Sequence, residues 1–202
     1  MKNRFDHILQ FKVTLRDIRP PVWRRIQVPC TYTFWDLHVA IQDAMGWLDC
    51  HLHMFSIRNP VDGTRTEIGI PVDDPFMDER PQLVGWEVPI ANYFTLMSRK
   101  ATYDYDFGDN WQHSVVLEQV APADASASYP ACVAGRRRCP PEDCGGVFGY
   151  ERFLEIVRDP THEEYEGTLT WAGGGFDPEG FDRARVSFDD PEKRWNIAFG
   201  ED

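Results

Sequence analysis

Leu9, Phe11, Val13 and Leu15 alternate with Gln10, Lys12, Thr14 and Arg16, and a period of two held over this length specifies a strand with one buried face. Past the Pro20-Pro21 turn the alternation resumes, with Val22, Arg24, Ile26 and Val28 against Trp23, Arg25 and Gln27, so a second strand is expected to pair antiparallel with the first. Thr33 followed by Asp36 forms a capping-box pattern, and Leu37, Ala40, Ile41, Ala44 and Leu48 follow at helical spacing until Gly46 and Trp47 close the helix. Strand, strand, helix opens a β-grasp-like arrangement.

Further strands are expected at 52–57, 66–70 and 100–107, with 115–120 returning after the turn at Gly108 to Trp111. Pro71 to Val88 reads as a long surface loop, and Ala121 to Ser128 as a flexible joint. The period then changes to 3.6. Tyr150, Phe153, Leu154 and Val157 share a helical face that ends at Asp159-Pro160; a second helix runs from Thr161 to Trp171, and a third starts at Asp177-Pro178 and carries Phe181 and Val186. The expected fold class is α+β, a mixed sheet with one covering helix followed by a C-terminal helical layer. At 202 residues and 42% hydrophobic composition the chain is expected to form a single domain over 1–202. Its subregions are 1–120 for sheet and helix, 121–147 for the linker and cysteine loop, and 148–202 for the helical layer.

Tyr129 to Tyr150 concentrates the unusual chemistry. Cys132, Cys139 and Cys144 stand there with Arg136-Arg137-Arg138, Glu142-Asp143, Pro140-Pro141 and Gly145-Gly146, and the punctuation argues against helix or strand. Three cysteines with His51, His53, His113 or His162 as a fourth ligand would suit zinc, although the paired CxxC spacing of a strong zinc signal is missing. Ordinary buried thiols or a Cys139–Cys144 redox pair are the alternatives.

His51 and His53, two apart on an expected strand, would share a face, and His53 would converge with His113 if their strands were adjacent. In the run from Tyr103 to Asp109, aspartates separated by two and three residues support a hairpin turn or a divalent-ion loop. Asp106 and Asp109 with Glu142 and Asp143 would pair the arginine run. Trp111, in the same turn, joins Arg136 among the candidate binding residues. Gly173 to Gly175 could cradle a phosphate, but Asp177 at the cap position would compete with it.

Net charge is −12, which disfavours contact with a phosphate backbone. No apolar run reaches bilayer length and no signal-peptide core follows the start, so a cytoplasmic protein is expected. The uneven set of five cysteines fits reduced thiols or metal ligands there.

Several longer motifs occur in order: WRRIQVP at Trp23 to Pro29, HLHMF at His51 to Phe55, YDYDFGDNWQH at Tyr103 to His113, CPPEDCGG at Cys139 to Gly146, and GGGFDPEGFD at Gly173 to Asp182. Across nearly its whole length the chain resembles the plasmid Ri orf-three-like (Orf-3-like) family. Some members of that family are labelled transposon passenger or resolvase-like. The resemblance implies an α+β fold and an origin on or near mobile elements. The residues of a resolvase mechanism, a serine nucleophile and basic DNA-binding helices, have no motif here. Three functions follow as expectations: a binding or accessory protein acting through protein partners; a metal-dependent hydrolase or nuclease using clustered His, Cys and Asp; and a DNA-binding accessory factor.

Overall fold

The computed structural model describes residues 5–71 and 82–200. Strands β1 (His7–Leu15) and β2 (Trp23–Pro29) pair antiparallel from Ile8↔Pro29 to Thr14↔Trp23. The alternation is read out as expected, with Leu9, Phe11, Val13 and Leu15 buried and Gln10, Lys12 and Thr14 on the opposite face. The sheet grows on both sides of this hairpin. With β3 (His53–Arg58), β4 (Arg65–Gly69), β5 (Gln82–Val84), β6 (Lys100–Tyr105), β7 (Trp111–Pro122) and β8 (Ala131–Arg136) it has, among the described residues, eight strands in the order β5-β4-β3-β6-β7-β1-β2-β8. Among the described strands only β4–β5 is parallel, which makes the sheet mixed.

Helix α1 (Phe34–Met45) begins at the expected capping box, in which Thr33 accepts from the Asp36 amide and Asp36 accepts from the Thr33 amide. Gly46 ends it at φ 89°, a left-handed position that favours glycine. The helix lies on the sheet face that carries Phe11, Ile26, Phe55, Tyr103, Trp111 and Leu117, and most of its own side chains are buried there. Phe34 meets Phe55 edge-on with ring centroids 5.2 Å apart. The opposite sheet face is polar and half-exposed.

The C-terminal layer contains α2 (Gly146–Arg158), α3 (Tyr165–Trp171) and α4 (Pro191–Phe199). Helix α2 turns Tyr150 and Phe153 inward and ends at Asp159 before Pro160. Together these elements form an α+β fold.

Several segments differ from their sequence expectation. Ala131–Arg136 is a regular edge strand against β2, pairing Ile26 with Cys132 and Trp23 with Arg136, so the irregular part of the cysteine loop begins at Arg137. The joint expected from Ala121 starts inside β7, since Ala121 and Pro122 face Ile8 and His7. Strand β7 itself begins at Trp111, four positions before the expected start. Helix α3 starts at Tyr165, because Thr161 closes a local turn on the Asp159 carboxylate. Asp177-Pro178 opens a turn in which Asp177 accepts from the Glu179 amide, followed by one 3-10 turn at Arg183–Arg185. The last helix lies further on, where Asp190 caps it and Pro191 occupies its first turn. Within the expected 71–88 loop, residues 72–81 lie outside the described residues and 82–84 form β5.

Candidate functional site

One end of the sheet gathers side chains from three places distant in sequence. His51 stands just before β3. Asp106 follows β6 at φ 54°, and its Oδ1 accepts from the amides of Gly108 (2.9 Å) and Asp109 (3.2 Å), the local closure that aspartate provides in turns. The third piece is the loop after β8, where Asp143 also sits at φ 54°. Asp109 ties the turn to that loop by accepting from the Gly145 amide at 3.0 Å. Gly146 passes so close that a Cβ there would lie 2.5 Å from the Asp109 carbonyl, so only glycine permits the approach.

The result is a cluster of His51, Asp106 and Asp143 whose ligand-type atoms all lie within 4.8 Å of one another. His51 Nε2 is 3.0 Å from Asp143 Oδ1 and 3.6 Å from Asp106 Oδ2. An ion bound by N and O at zinc-like distances holds neighbouring ligand atoms about 3.4 Å apart, so these separations fit one coordination shell. The Asp106 side chain is largely covered and that of Asp143 mostly exposed, which leaves the cluster open on one side. Among the described residues no other set of three His, Cys, Asp or Glu side chains meets this way.

Glu142 adjoins the cluster. It accepts from the Leu48 amide at 2.7 Å and from the Tyr105 hydroxyl at 3.1 Å, and burial raises its carboxyl above the usual range despite those bonds. It also lines a cleft of about 920 Å³ between the end of α1 and the C-terminal layer, with Trp47, Trp171, Phe176, Phe181 and Arg185 among its walls. Leu48 is 74% and Trp171 53% exposed at its mouth.

The other expected site residues go elsewhere. Cys132, Cys139, Cys144 and His53 form no common ligand set; Cys132 is fixed in β8, and burial raises all three thiols, Cys144 to about 12, so the zinc set expected there is not assembled. His51 and His53 do not share a face. His53 begins β3 fully buried and stacks on His38 of α1 with ring centroids 3.5 Å apart, while His51 precedes the strand at the surface. Strand β6 separates β3 from β7, so Tyr103 stands between His53 and His113 and the two do not converge. Trp111 is a core residue packed near Trp47. The arginine run does not pair with Asp106, Asp109, Glu142 or Asp143. Arg137 bonds Glu179 at 2.9 Å, Arg138 lies over Phe176 and donates to the Gly175 carbonyl, and the Arg136 carbonyl accepts from Arg24.

Sequence reasoning overlooked His38. Its Nε2 lies 2.7 Å from Asp49, and its Nδ1 lies 2.8 Å from the Tyr103 hydroxyl, which also accepts from the Gln42 amide at 2.8 Å. With the Tyr103 oxygen already accepting, its proton points to Nδ1 and the His38 Nε2–H points to Asp49. Asp49 in turn meets Arg194 of α4 at 3.4 Å. The available signal was a histidine one turn after the helix cap on an otherwise apolar face.

Comparison with known proteins places this chain among relatives. The chain is 32% identical over 191 residues to the uncharacterized protein y4hQ of Sinorhizobium fredii, covering 93% of this chain and 94% of that one. It is also similar to the crystal structure of MM3350, a protein of unknown function from Methanosarcina mazei Go1, with 47% identity, a TM-score of 0.84 and coverage of 92% of this chain and 100% of the other. Residues 7–185 match the family described as plasmid pRiA4b ORF-3-like protein, and the chain belongs to that family.

Proposed function

We propose that the protein is a binding protein that holds a divalent cation at His51, Asp106 and Asp143 and takes a segment of a protein partner in the adjoining cleft. The observation that supports this reading is the convergence of one imidazole and two carboxylates, from three separate parts of the chain, at coordination distances beside that cleft. The donor set of one nitrogen and two oxygens suits zinc or manganese better than calcium, which takes six to eight oxygens. Exposed Leu48 and Trp171 at the cleft mouth offer apolar anchors to a partner segment.

Titration calorimetry of the metal-free protein with zinc or manganese tests the cation. One ion is expected per chain, with affinity reduced at least about 100-fold in Asp106→Asn. Stoichiometric binding that survives His51→Ala and Asp106→Asn would place the ion elsewhere and end this reading.

A hydrolytic reading has one observation of its own: Glu142, whose carboxyl is raised by burial, stands beside the cluster and could exchange a proton with a metal-activated water. It predicts metal-dependent cleavage of activated esters or phosphodiesters that falls about 100-fold in Glu142→Gln. Equal rates in the two proteins would remove it.

A further inference from the structure

The polar face of the sheet, opposite α1, carries a concentration of positive charge that the net charge of −12 conceals. Ser56 of β3 pairs in register with Thr102 of β6, Thr102 with Ser114 of β7, and Ser114 with Thr14 of β1. This lays a row of hydroxyls across four neighbouring strands. Above the β3 to β7 part of that row is a pocket of about 680 Å³ lined by Ser56, Thr102 and Ser114 together with Arg58, Arg65, Arg99 and Lys100. Among the described residues, no carboxylate lines it.

Arg58 and Arg65 stand directly opposite each other in the β3–β4 ladder, an arrangement of like charges that destabilises a sheet unless something neutralises it. Neither these arginines nor Arg99 and Lys100 forms an ion pair with a carboxylate among the described residues. Instead the guanidinium groups are steadied by neutral acceptors. Arg65 Nε donates to the Ser56 hydroxyl, Arg58 Nη1 to the Gly63 carbonyl at 3.1 Å, and Arg99 Nε to the Leu96 carbonyl at 3.0 Å. Each guanidinium retains further donors for a ligand. Asp104 and Glu67 lie on the same face at the Arg65 border, outside the lining, and Arg65 attracts the Asp104 carboxylate without pairing with it directly, so Arg58, Arg99 and Lys100 are the cations left most open.

We propose that this pocket binds a small ligand bearing two or more phosphate charges, with Arg58, Arg65, Arg99 and Lys100 neutralising the oxyanion and the hydroxyl row donating to it. Arginine forks match phosphate oxygens in pairs, and the volume fits a small molecule. Exposed Met97 at the rim gives an organic portion a place to rest. A nucleic-acid backbone is disfavoured, because the net charge of −12 repels its further phosphates.

Calorimetry on the full chain, with pyrophosphate and adenosine diphosphate as separate probes, tests the site. Saturable binding tighter than about 1 mM is expected for at least one probe, weakened about tenfold or more in the double variant Arg58→Gln/Arg99→Gln. Both positions are exposed, and losing Arg58 relieves its repulsion with Arg65, so the melting temperature should not fall. Thr102→Val should lower affinity about threefold or more through the lost hydroxyl. Tighter binding of adenosine diphosphate than of pyrophosphate would identify an organic ester as the ligand, and equal binding would identify the phosphates alone. Absence of saturation by about 5 mM, affinity unchanged in the double variant, or binding of duplex DNA with neither small probe bound would each overturn the proposal.

Discussion

His113 shows what the core asks of one side chain. It is completely buried, its Nδ1 donates to the Tyr103 carbonyl at 3.2 Å, and its Nε2 has no partner. Burial pulls its pKa from 6.5 down to about 4, so the folded state keeps it neutral where the unfolded chain takes up a proton. Its contribution is fully present above about pH 6.5 and is lost as pH falls toward 4. The difference amounts to roughly 3 kcal/mol. Buried His53 shifts in the same direction, whereas Asp36, Asp43 and Glu142, raised by burial, gain relative stability on acidification. The His113 share is therefore read by difference. Urea unfolding from pH 7 to pH 4.5 should show a flatter loss of stability in His113→Asn, which retains the donor, than in the parent. Parallel curves would mean that His113 does not stay neutral in the fold.

At the scale of elements, α4 is attached by few side chains. None of its residues is fully buried. Arg194 reaches Asp43 at 2.7 Å, Asp49 at 3.4 Å and also Asp189, while Trp195 and Phe199 lean on Trp86 and Phe199 on Trp35. Asp43 and Asp49 are nearly covered, so losing their cation leaves two charges poorly solvated. Arg194→Ala should cost roughly 2 kcal/mol, less than a fully buried pair, and should release α4 locally. Hydrogen exchange is expected to accelerate at least about tenfold in α4 while β1 amides stay protected. Equal acceleration in both would mean that α4 is integral to the cooperative core. The same helix shows why legibility varied. Helix α1 carried a capping box and an apolar face, so it could be read directly, whereas α4 carried only Asp190-Pro191 and a short, mostly polar run. Strand β8 was hidden because Gly135 and the nearby prolines resemble loop punctuation, and only the free edge of β2 turns those residues into a strand.

For the whole molecule, sites that depend on short-range turns were partly visible and sites that depend on topology were not. Asp106 and Asp109 were suggested by turn chemistry and Glu142 and Asp143 only as partners for the arginine run, and the fold brings His51 to Asp106 and Asp143. The cations Arg58, Arg65, Arg99 and Lys100 are spread over two distant segments and become neighbours only through the β3–β4 and β3–β6 pairings. The order of strands has a further consequence, in the timing of synthesis. The first hairpin lies inside the finished sheet, yet its neighbours β7 and β8 come about a hundred residues later. While the chain emerges from the ribosome, both edges of the β1–β2 hairpin stay open to foreign strands. The charges of Lys12, Arg24 and Arg25 along it are then its protection against aggregation until the rest of the chain arrives.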